Sequence, residues 1–404
     1  MTGVALTRTQ LALGFLWLAE RAWKGRQVAR FFRRPVPAPD VPPAATTVSI
    51  IQPILSGDPT LAASLGATLR ARSAYRREWL WLVDEDDAEG WRVCRALLTR
   101  HPECAIRLLP APPPASGDRR NPKTVKLIAG AAAARGDIVC VLDDDTRLPD
   151  DGLEHLLPFL DAPGAGLVYG LPYYVSFLDL WSSLVAAFVN SHSLLTYLPP
   201  LALTEPFTIN GMCYALRRDT LAAIGGFAGL EGMLADDFAI ARRVRDAGRR
   251  LVQTPLRHAI STRIGGPRHY ASLIQRWFVF PRESVLRHVA PRDRAIVAAL
   301  TIAPTALPAL LLAATLRRPT RGALTWAALC YGAAFGLFAR HDTAYLGGAT
   351  PWRWRWLVPL VQTLLPAQVV AALLLPQRIV WRGHRMAVER GGGFTLVRRR
   401  ERES

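Results

Sequence analysis

Lysine is nearly absent from this 404-residue chain: of its 50 basic residues, only Lys24, Lys123 and Lys126 are lysines. Acidic residues are also few, 32 against 50 basic ones, which leaves a net charge of +18. Such an excess needs an anionic partner, and nucleic acid, an acidic membrane surface and a phosphorylated substrate are all compatible with it. Half of the residues are hydrophobic and a fifth are charged. This composition excludes a disordered chain and a protein built only from membrane spans.

The cysteines give no sign of a disulfide framework or a zinc module. There are five of them, and no two form a CxxC pair. An odd number without paired spacing in a long chain argues against both kinds of structure. We expect each cysteine to be a small buried side chain.

The N-terminal segment predicts a membrane anchor. Its apolar stretch, Leu6–Ala22, is interrupted by Arg8 and Glu20 and followed by a basic flank. The stretch is too short for a clear span and lacks the cleavage site of a signal peptide. Residues 1–34 therefore predict an interfacial helix or a marginal span. The proline-rich residues 35–45 predict a stiff linker.

The pattern from residue 46 to residue 291 is that of an α/β domain. Short apolar runs with the length of strands alternate with stretches that have the length and periodicity of helices. This alternation predicts βαβ units and a mostly parallel sheet covered by helices. Because such sheets bind ligands beyond the carboxyl ends of their strands, the residues that follow each strand are the candidates for a site.

Residues 292–376 predict membrane helices. They contain three apolar runs of about 18 to 22 residues: Ala295–Leu316, Gly322–Ala339 and Trp356–Leu375. Three crossings would place the Arg-rich tail, residues 377–404, on the side opposite the α/β domain, against the positive-inside rule. We therefore expect the first run, which contains two prolines, to re-enter or lie at the interface. The last two runs would then form a hairpin that returns a basic tail to the cytoplasm.

The first candidate site is acidic. A predicted strand, residues 137–142, runs directly into Asp143, Asp144 and Asp145. Adjacent carboxylates repel one another unless a cation neutralises them, and a cluster of hard oxygen ligands suits Mg²⁺ or Mn²⁺. The alternative is an acidic turn that caps the next helix. We favour the metal interpretation because an apolar strand leads into the acids.

The second candidate is a pair of lysines, Lys123 and Lys126, at the start of a predicted helix. Helix N-termini favour anions, and a compact ammonium group suits a phosphate. The lysines are therefore candidates for contacting a diphosphate near the metal. The alternative is a solvated first turn.

Two further candidates lie later in the α/β region. Asp236 and Asp237 precede the apolar positions of another predicted helix, where one of them caps the helix or acts as a general base. Arg276 and Trp277 lie on a helical stretch that leads to the membrane region. Such a pair is also common as an interfacial anchor.

Taken together and in their order along the chain, these candidate segments resemble the membrane-bound ceramide glucosyltransferase family, which includes bacterial hopanoid-associated glycosyltransferases. The resemblance covers about residues 46–290. The matching stretches are Val48–Ile54, Asn121–Lys123, Asp143–Asp145, Asn210–Asp219, Gly225–Phe227, Leu234–Asp237 and Arg276–Trp277. It implies a GT-A fold and metal-dependent transfer of a sugar, with inversion, from a nucleotide-diphosphate sugar.

The resemblance also implies roles for individual residues. Asp143 and Asp145 would be the two acids of the metal motif, with Asp145 the more direct ligand of Mg²⁺ or Mn²⁺. Asp237 would be the base that deprotonates the acceptor. Lys123 would lie near the diphosphate of the donor, for which we expect a UDP-sugar.

Two positions depart from the family pattern. The acid that contacts the nucleotide base falls at Glu85 in an ungapped alignment, and Asp84 or Asp86 would serve with a shift of one residue. Leu273 stands where the family has Gln or Arg, four residues before Trp277. The Arg276–Trp277 pair that completes this motif would lie near donor and acceptor.

The acceptor is inferred from an apolar stretch, residues 178–200, between the metal motif and Asp237. As an interfacial helix it would bring a lipid hydroxyl, of a ceramide, hopanoid or glycerolipid, to the site. The alternative is an ordinary core helix.

We therefore predict an enzyme on a bacterial-type inner membrane, with its catalytic domain facing the cytoplasm. The predicted partners are a nucleotide-diphosphate sugar, a lipid and anionic membrane, with no nucleic acid. A catalytically silent membrane scaffold and a processive polysaccharide synthase are the alternative functions.

Overall fold

The computed structural model describes residues 6–374 and 378–400. The predicted boundary between membrane helices and tail, at residues 376 and 377, lies outside the described residues, as do both ends of the chain. The chain forms two compact units. The first comprises residues 1–35, 173–204 and 289–374, and the second comprises residues 36–172, 205–288 and 375–404.

Two sheets are present in the described residues, one of eight strands and one of three. The strands of the large sheet are β1 (Thr47–Ile54), β2 (Arg76–Asp84), β3 (Ala105–Ala111), β4 (Ile138–Leu142), β5 (Thr146–Arg147), β6 (Ala165–Tyr174), β7 (Cys213–Arg217) and β8 (Arg250–Ile260). Those of the small sheet are β9 (Arg378–Trp381), β10 (His384–Val388) and β11 (Phe394–Arg398).

The α-helices divide between the two units. Those of the second unit are α2 (Leu61–Arg70), α3 (Ala88–Arg100), α4 (Pro122–Ala133), α6 (Arg218–Ala223), α7 (Asp236–Asp246), α8 (Pro267–Phe280) and α9 (Leu286–His288). Those of the first unit are α1 (Arg8–Phe32), α5 (Leu180–Tyr197), α10 (Pro291–Val297), α11 (Ala306–Arg317), α12 (Arg321–Tyr345) and α13 (Leu357–Leu374).

The large sheet confirms the predicted α/β fold, but the sheet is mixed. Its strand order is β3-β2-β1-β4-β7-β6-β8-β5. Strands β1, β2, β3 and β4 pair in parallel, whereas β7 pairs antiparallel with β4 and β6, and β5 pairs antiparallel with β8. The carboxyl ends of β1, β2 and β4 therefore meet at one edge of the sheet.

Apolar side chains cover both faces of this sheet. Because neighbouring residues of a strand point to opposite faces, Ile50 packs in one hydrophobic cluster with Trp79, and Ile51 packs in the other with Leu80 and Leu127. All of these side chains are buried. This near-continuous burial explains why the central strands read as apolar runs in the sequence.

The first unit is a group of helices that includes the predicted anchor. The side chain of Gln10 on α1 donates to the carbonyl of Ala314 at 3.0 Å, and the indole of Trp326 donates to the carbonyl of Gln10 at 2.9 Å. Trp17 is fully buried beside Leu311. Helix α1 therefore packs against α11 and α12.

Helix α5, which covers most of the stretch predicted to approach the lipid, belongs to this helical unit. Ala187 of α5 packs in a cluster with Phe338 and Val358. The Asn190 side chain donates to the carbonyl of Tyr174 at 3.0 Å. Residues 173–204 therefore belong to the helical unit and not to the α/β domain predicted over residues 46–291, because apolar side chains of α5 pack against other helices of that unit.

Two helices of the first unit, Pro291–Arg317 and Arg321–Tyr345, are long and apolar enough to cross a membrane. The run predicted to re-enter lies on the first of them, which changes from α-helix to π-helix at Ala298–Ile302 and to 3₁₀-helix at Ala303–Thr305. Proline within a helix removes a hydrogen-bond donor, which accounts for the irregularity around Pro304. Re-entry of this segment stays a prediction.

The tail, predicted to be a basic cytoplasmic flank, contains the three-stranded antiparallel sheet β9-β10-β11. Its apolar residues alternate with basic ones along the strands, so that Ile379, Met386 and Phe394 are buried while Arg378 and Arg385 are exposed. Alternation of this kind is the pattern of a half-buried strand. The described part of the tail is therefore a folded part of the second unit.

Candidate active site

Asp143, Asp144 and Asp145 form an acidic turn at the carboxyl edge of the large sheet, directly after β4. The Asp143 N–H donates to the carbonyl of Met212 at 2.9 Å, and the Ser261 N–H donates to the carbonyl of Asp145 at 2.9 Å. These two bonds hold the turn between the residues that precede β7 and those that follow β8. The sequence placed the acids at the correct strand end because the apolar run of β4 stops at Leu142.

Lys123 joins the acidic turn to the acids of α7. Its Nζ lies 2.7 Å from Oδ1 of Asp143 and 3.3 Å from Oδ2 of Asp236, and it donates to the carbonyl of Gly211 at 3.1 Å. The Asn121 side chain caps α4 by accepting the Lys123 N–H at 2.9 Å. The structure therefore brings together four segments: the α4 N-terminus, the β4 turn, the 210–212 loop and α7.

Lys126, the second lysine of the motif, has a different environment. Its Nζ lies 2.8 Å from Oδ1 of Asp84 and donates to the carbonyl of Ile54 at 2.8 Å. Both Lys126 and Asp84 are buried. This lysine ties the ends of β1 and β2 together, which is a structural role.

Asp236 and Asp237 form the first turn of α7 without capping it. The N-cap position is Ala235, and no side chain makes a cap bond there. Oδ1 of Asp237 accepts the N–H of Phe238 at 2.7 Å. A Cβ atom at Gly211 would lie 2.7 Å from the Cβ of Asp237, so the absence of a side chain at Gly211 allows Asp237 to approach the site.

Burial changes the acidity of these groups. It raises the pKa of Asp143 to about 6 and that of Asp145 to about 7. It also raises the pKa of Asp237 to about 6, with the negative charge of Asp236 as a further cause. Although burial opposes it, contact with Asp143 and Asp236 raises the pKa of Lys123 well above its usual value. The site therefore holds desolvated carboxylates that gain from a nearby cation.

The carboxylate oxygens of the acidic turn suit a divalent cation that is bound together with a phosphorylated ligand. Among the described residues, no three His, Cys, Asp or Glu side chains converge as in a metal cage supplied entirely by the protein. Mg²⁺ is often bound by one or two carboxylates and completes its shell with water and substrate phosphates. Asp143 and Asp145, two hard oxygen donors raised in pKa by burial, match that requirement.

The C-terminal sheet supplies a residue that sequence reasoning missed. Nη2 of Arg382, in the turn between β9 and β10, lies 2.5 Å from Oδ1 of Asp144 and 3.3 Å from Oδ2 of Asp145. Arg382 is 237 positions from Asp145 in sequence. A two-residue Arg-Gly turn between alternating apolar runs was the available sign of a hairpin there.

The three acids considered for the nucleotide base differ in environment. Glu85 is exposed beyond the end of β2, whereas Asp84 is buried against Lys126. Asp86 forms an ion pair with Arg399 of the segment after β11. The Glu85 N–H donates to the carbonyl of Ala111 at 2.9 Å, and within residues 6–374 and 378–400 no hydrogen bond or ion pair joins Glu85 to the acidic turn.

Arg276 and Trp277 are half-buried on α8, and Leu273 is buried one turn earlier. Burial lowers the pKa of His269 on this helix, and the positive charges of Arg276 and Arg382 lower it further. His269 thus lies within electrostatic range of both arginines. Helix α8 is therefore placed beside the C-terminal turn that contacts the acidic residues.

The class of this protein follows from a match that covers most of its sequence. Residues 10–394 match glycosyl transferase family 21. The protein is therefore a glycosyltransferase, and it belongs to that family.

Two solved structures show a more distant likeness. A mannosyltransferase from Pyrobaculum calidifontis in complex with GDP-Man and Mn²⁺ is 18% identical, with a TM-score of 0.48 over 91% of this chain and 97% of that one. GalNAc-T7 with UDP, GalNAc and Mn²⁺ is 13% identical, with a TM-score of 0.41 over 62% of this chain and 54% of that one. Both scores are below 0.5, so these likenesses assign neither donor nor acceptor to this chain.

Proposed function

We propose that this protein transfers a sugar, with inversion, from a nucleotide-diphosphate sugar to a lipid hydroxyl, in the manner of a ceramide glucosyltransferase. The observation that supports this most is the contact set around Lys123, which links Asp143 of the acidic turn to the acid pair of α7. The proposed metal ligands and the proposed base would thereby lie in one cluster. A UDP-sugar is the donor expected for this family resemblance.

The donor side of the site uses Asp143 and Asp145. They would hold Mg²⁺ or Mn²⁺, which stabilises the charge that develops on the departing diphosphate. Lys123 would bind a diphosphate oxygen, because its ammonium group already lies among the oxygens of Asp143, Asp236 and Gly211. Glu85 stays our candidate for the nucleotide base, with Asp84 and Asp86 as the alternatives.

The acceptor side uses Asp237. Its carboxylate would take the proton of the acceptor hydroxyl, whose oxygen then forms a bond to the anomeric carbon while the bond from that carbon to the diphosphate breaks. Attack on the face opposite the leaving group inverts the configuration. A base with a pKa near 6 is ionised at neutral pH and is more basic than an ordinary aspartate. Arg276 and Trp277 would lie beside the sugar donor and the acceptor.

A lipid is the proposed acceptor because two helices of the first unit are long and apolar enough to cross a membrane. Their most apolar windows are only 17% and 28% buried, and this low burial supports a membrane location. Large apolar side chains are exposed on α12 and α13, among them Leu329 and Leu364. We propose that this unit lies in a bacterial-type inner membrane and that the catalytic unit faces the cytoplasm.

The assay combines membranes containing the protein, Mn²⁺ or Mg²⁺, a panel of nucleotide sugars and a total lipid extract, and detects a new glycolipid by mass spectrometry. We expect a product with one donor. Asp145→Asn and Asp237→Asn should each abolish it. The matched control is Asp246→Asn, because Asp246 is an exposed acid on the same helix as Asp237.

The outcomes separate the enzyme from the scaffold. Product that depends on Asp145 and Asp237 but not on Asp246 supports the proposal. Failure to form product with every donor, at normal protein abundance, supports a catalytically silent scaffold. A polymer that grows with time points to a processive synthase. The anomeric configuration of the product, read by nuclear magnetic resonance, tests inversion.

A further inference from the structure

The turn that carries Arg382 has an unusual backbone. Arg382 has a φ angle of +48° and Gly383 one of +84°, between the antiparallel strands β9 and β10. Two-residue hairpin turns with both residues at positive φ favour Asn, Asp and Gly, because a side chain with a Cβ atom is strained there. An arginine at the first position is therefore unfavourable for the turn alone. Such strain is typical of functional sites.

The small sheet fixes this turn against the acidic residues. Its buried face packs Ile379 and Phe394 against Leu234, three residues before Asp237, and against Val279 of α8. The Leu234 N–H donates to the carbonyl of Gly392 at 2.9 Å. These contacts hold the small sheet, and with it the turn, beside the segments that build the site.

Asp144 holds Arg382 in place. Oδ1 of Asp144 accepts from Nη2 of Arg382 at 2.5 Å, and Oδ2 accepts the N–H of Leu55 at 2.9 Å. Asp144 is buried, whereas the Arg382 side chain is 24% exposed. The middle acid of the turn therefore anchors a guanidinium group whose side chain stays partly exposed to solvent.

Arg382 and Lys123 stand at the two ends of the acidic turn. Lys123 contacts Asp143, and Arg382 contacts Asp145. A guanidinium group offers five donors in a planar fork that matches phosphate oxygens in pairs. Arg382 contacts both Asp144 and Asp145 through one of its terminal nitrogens, Nη2.

We infer that Arg382 is a ligand of the donor diphosphate, delivered to the site by the C-terminal hairpin and anchored by Asp144. The inference rests on the proposed function, since it needs a nucleotide-diphosphate donor. In the protein without donor, Arg382 compensates the charge of Asp145. When the donor binds, its diphosphate takes over contacts of the guanidinium group.

The test measures nucleotide binding and needs no sugar transfer. The full-length protein in detergent is titrated by calorimetry with UDP and with GDP, each with Mn²⁺, and with the matching monophosphates. The variants are Arg382→Gly, which removes the guanidinium and is compatible with the turn, and Arg382→Lys, which keeps the charge without the fork. Arg385→Ala is the control, because Arg385 is an exposed arginine of the same sheet.

We expect Arg382→Gly to weaken binding of the diphosphate that the unsubstituted protein prefers by about tenfold or more, the usual scale for a charge-assisted hydrogen bond. Arg382→Lys should be intermediate. Monophosphate binding and the control should change less than threefold. Circular dichroism and a cooperative melt establish that each variant is folded.

Two results would overturn the inference while leaving the proposed function intact. One is unchanged diphosphate binding by folded Arg382→Gly. The other is tighter binding, which would mean that Arg382 competes with the metal instead of binding the diphosphate. If the unsubstituted protein binds neither nucleotide, the proposed function fails, and the inference fails with it.

Discussion

Replacing Gly211 by alanine should displace the proposed base without changing any charge. The new Cβ would lie 2.7 Å from the Cβ of Asp237, whereas carbon atoms in contact are about 3.5 to 4.0 Å apart. Asp237 or the 210–212 loop must therefore move by about 1 Å. Gly211 does not have a positive φ, so alanine itself is compatible with the backbone there.

The size of the expected effect follows from that displacement. A catalytic group misplaced by 1 Å can cost about 100-fold in rate, so we expect kcat for glycolipid formation to fall by roughly that factor, with KM for the donor little changed. Overpacking of this kind also costs about 1 to 3 kcal/mol of stability. The control is Gly232→Ala, since among the described residues no heavy atom beyond Gly232 and its two chain neighbours lies within 4 Å of a Cβ at Gly232.

A double-mutant cycle shows whether the effect acts through Asp237. In an Asp237→Asn background there is no base to displace, so adding Gly211→Ala should reduce the residual rate by much less than 100-fold. Equal effects of Gly211→Ala in both backgrounds would refute the reasoning. So would a single variant that is folded and fully active.

Three further predictions concern acidity, the buried ion pair and the helical unit. Because burial raises the pKa of Asp237 to about 6, its basic form is lost as pH falls through that value; kcat/KM should drop below about pH 6, and a flat profile down to pH 5 contradicts the assignment. Lys126→Met removes the ammonium group 2.8 Å from buried Asp84 and should lower the free energy of unfolding by about 3 to 5 kcal/mol, measured by denaturant titration, with partial recovery when Asp84→Asn is added. Gly14→Ala places a Cβ atom 2.3 Å from the indole nitrogen of Trp326 and should lower the melting temperature in detergent, because the indole must leave its hydrogen bond to α1; an unchanged melt would contradict the packing of α1 and α12.

The sequence was sufficient for the parts of the site that are defined locally. Asp143–Asp145 follow a short apolar run typical of an inner strand, and Lys123 follows a capping asparagine at the start of a helix. Both features depend on neighbours in the chain. The parallel half of the sheet was predictable for the same reason, since its strands and helices alternate.

The contacts that sequence reasoning missed are made over long distances along the chain. Arg382 is one of 47 arginines, and although the Arg-Gly turn is a local sign of a hairpin, nothing local indicates that this hairpin brings Arg382 to Asp144. Gly211 matters only because Asp237 packs against it. The different roles of Lys123 and Lys126 also could not be read from their spacing, because each role is set by the acid that its ammonium group meets.

The position of Arg382 in the chain sets an order of assembly during synthesis. The acidic turn leaves the ribosome 237 residues before the arginine that contacts it, and at about 5 to 20 residues per second this interval is roughly 10 to 50 s. Helices α5 and α10 to α13 of the first unit are synthesised within that interval. If these helices insert into a membrane as proposed, nascent chains that have begun to insert still have Asp144 and Asp145 without their arginine. On the inference that Arg382 binds the donor, full donor affinity would then appear only after the C-terminal hairpin has folded.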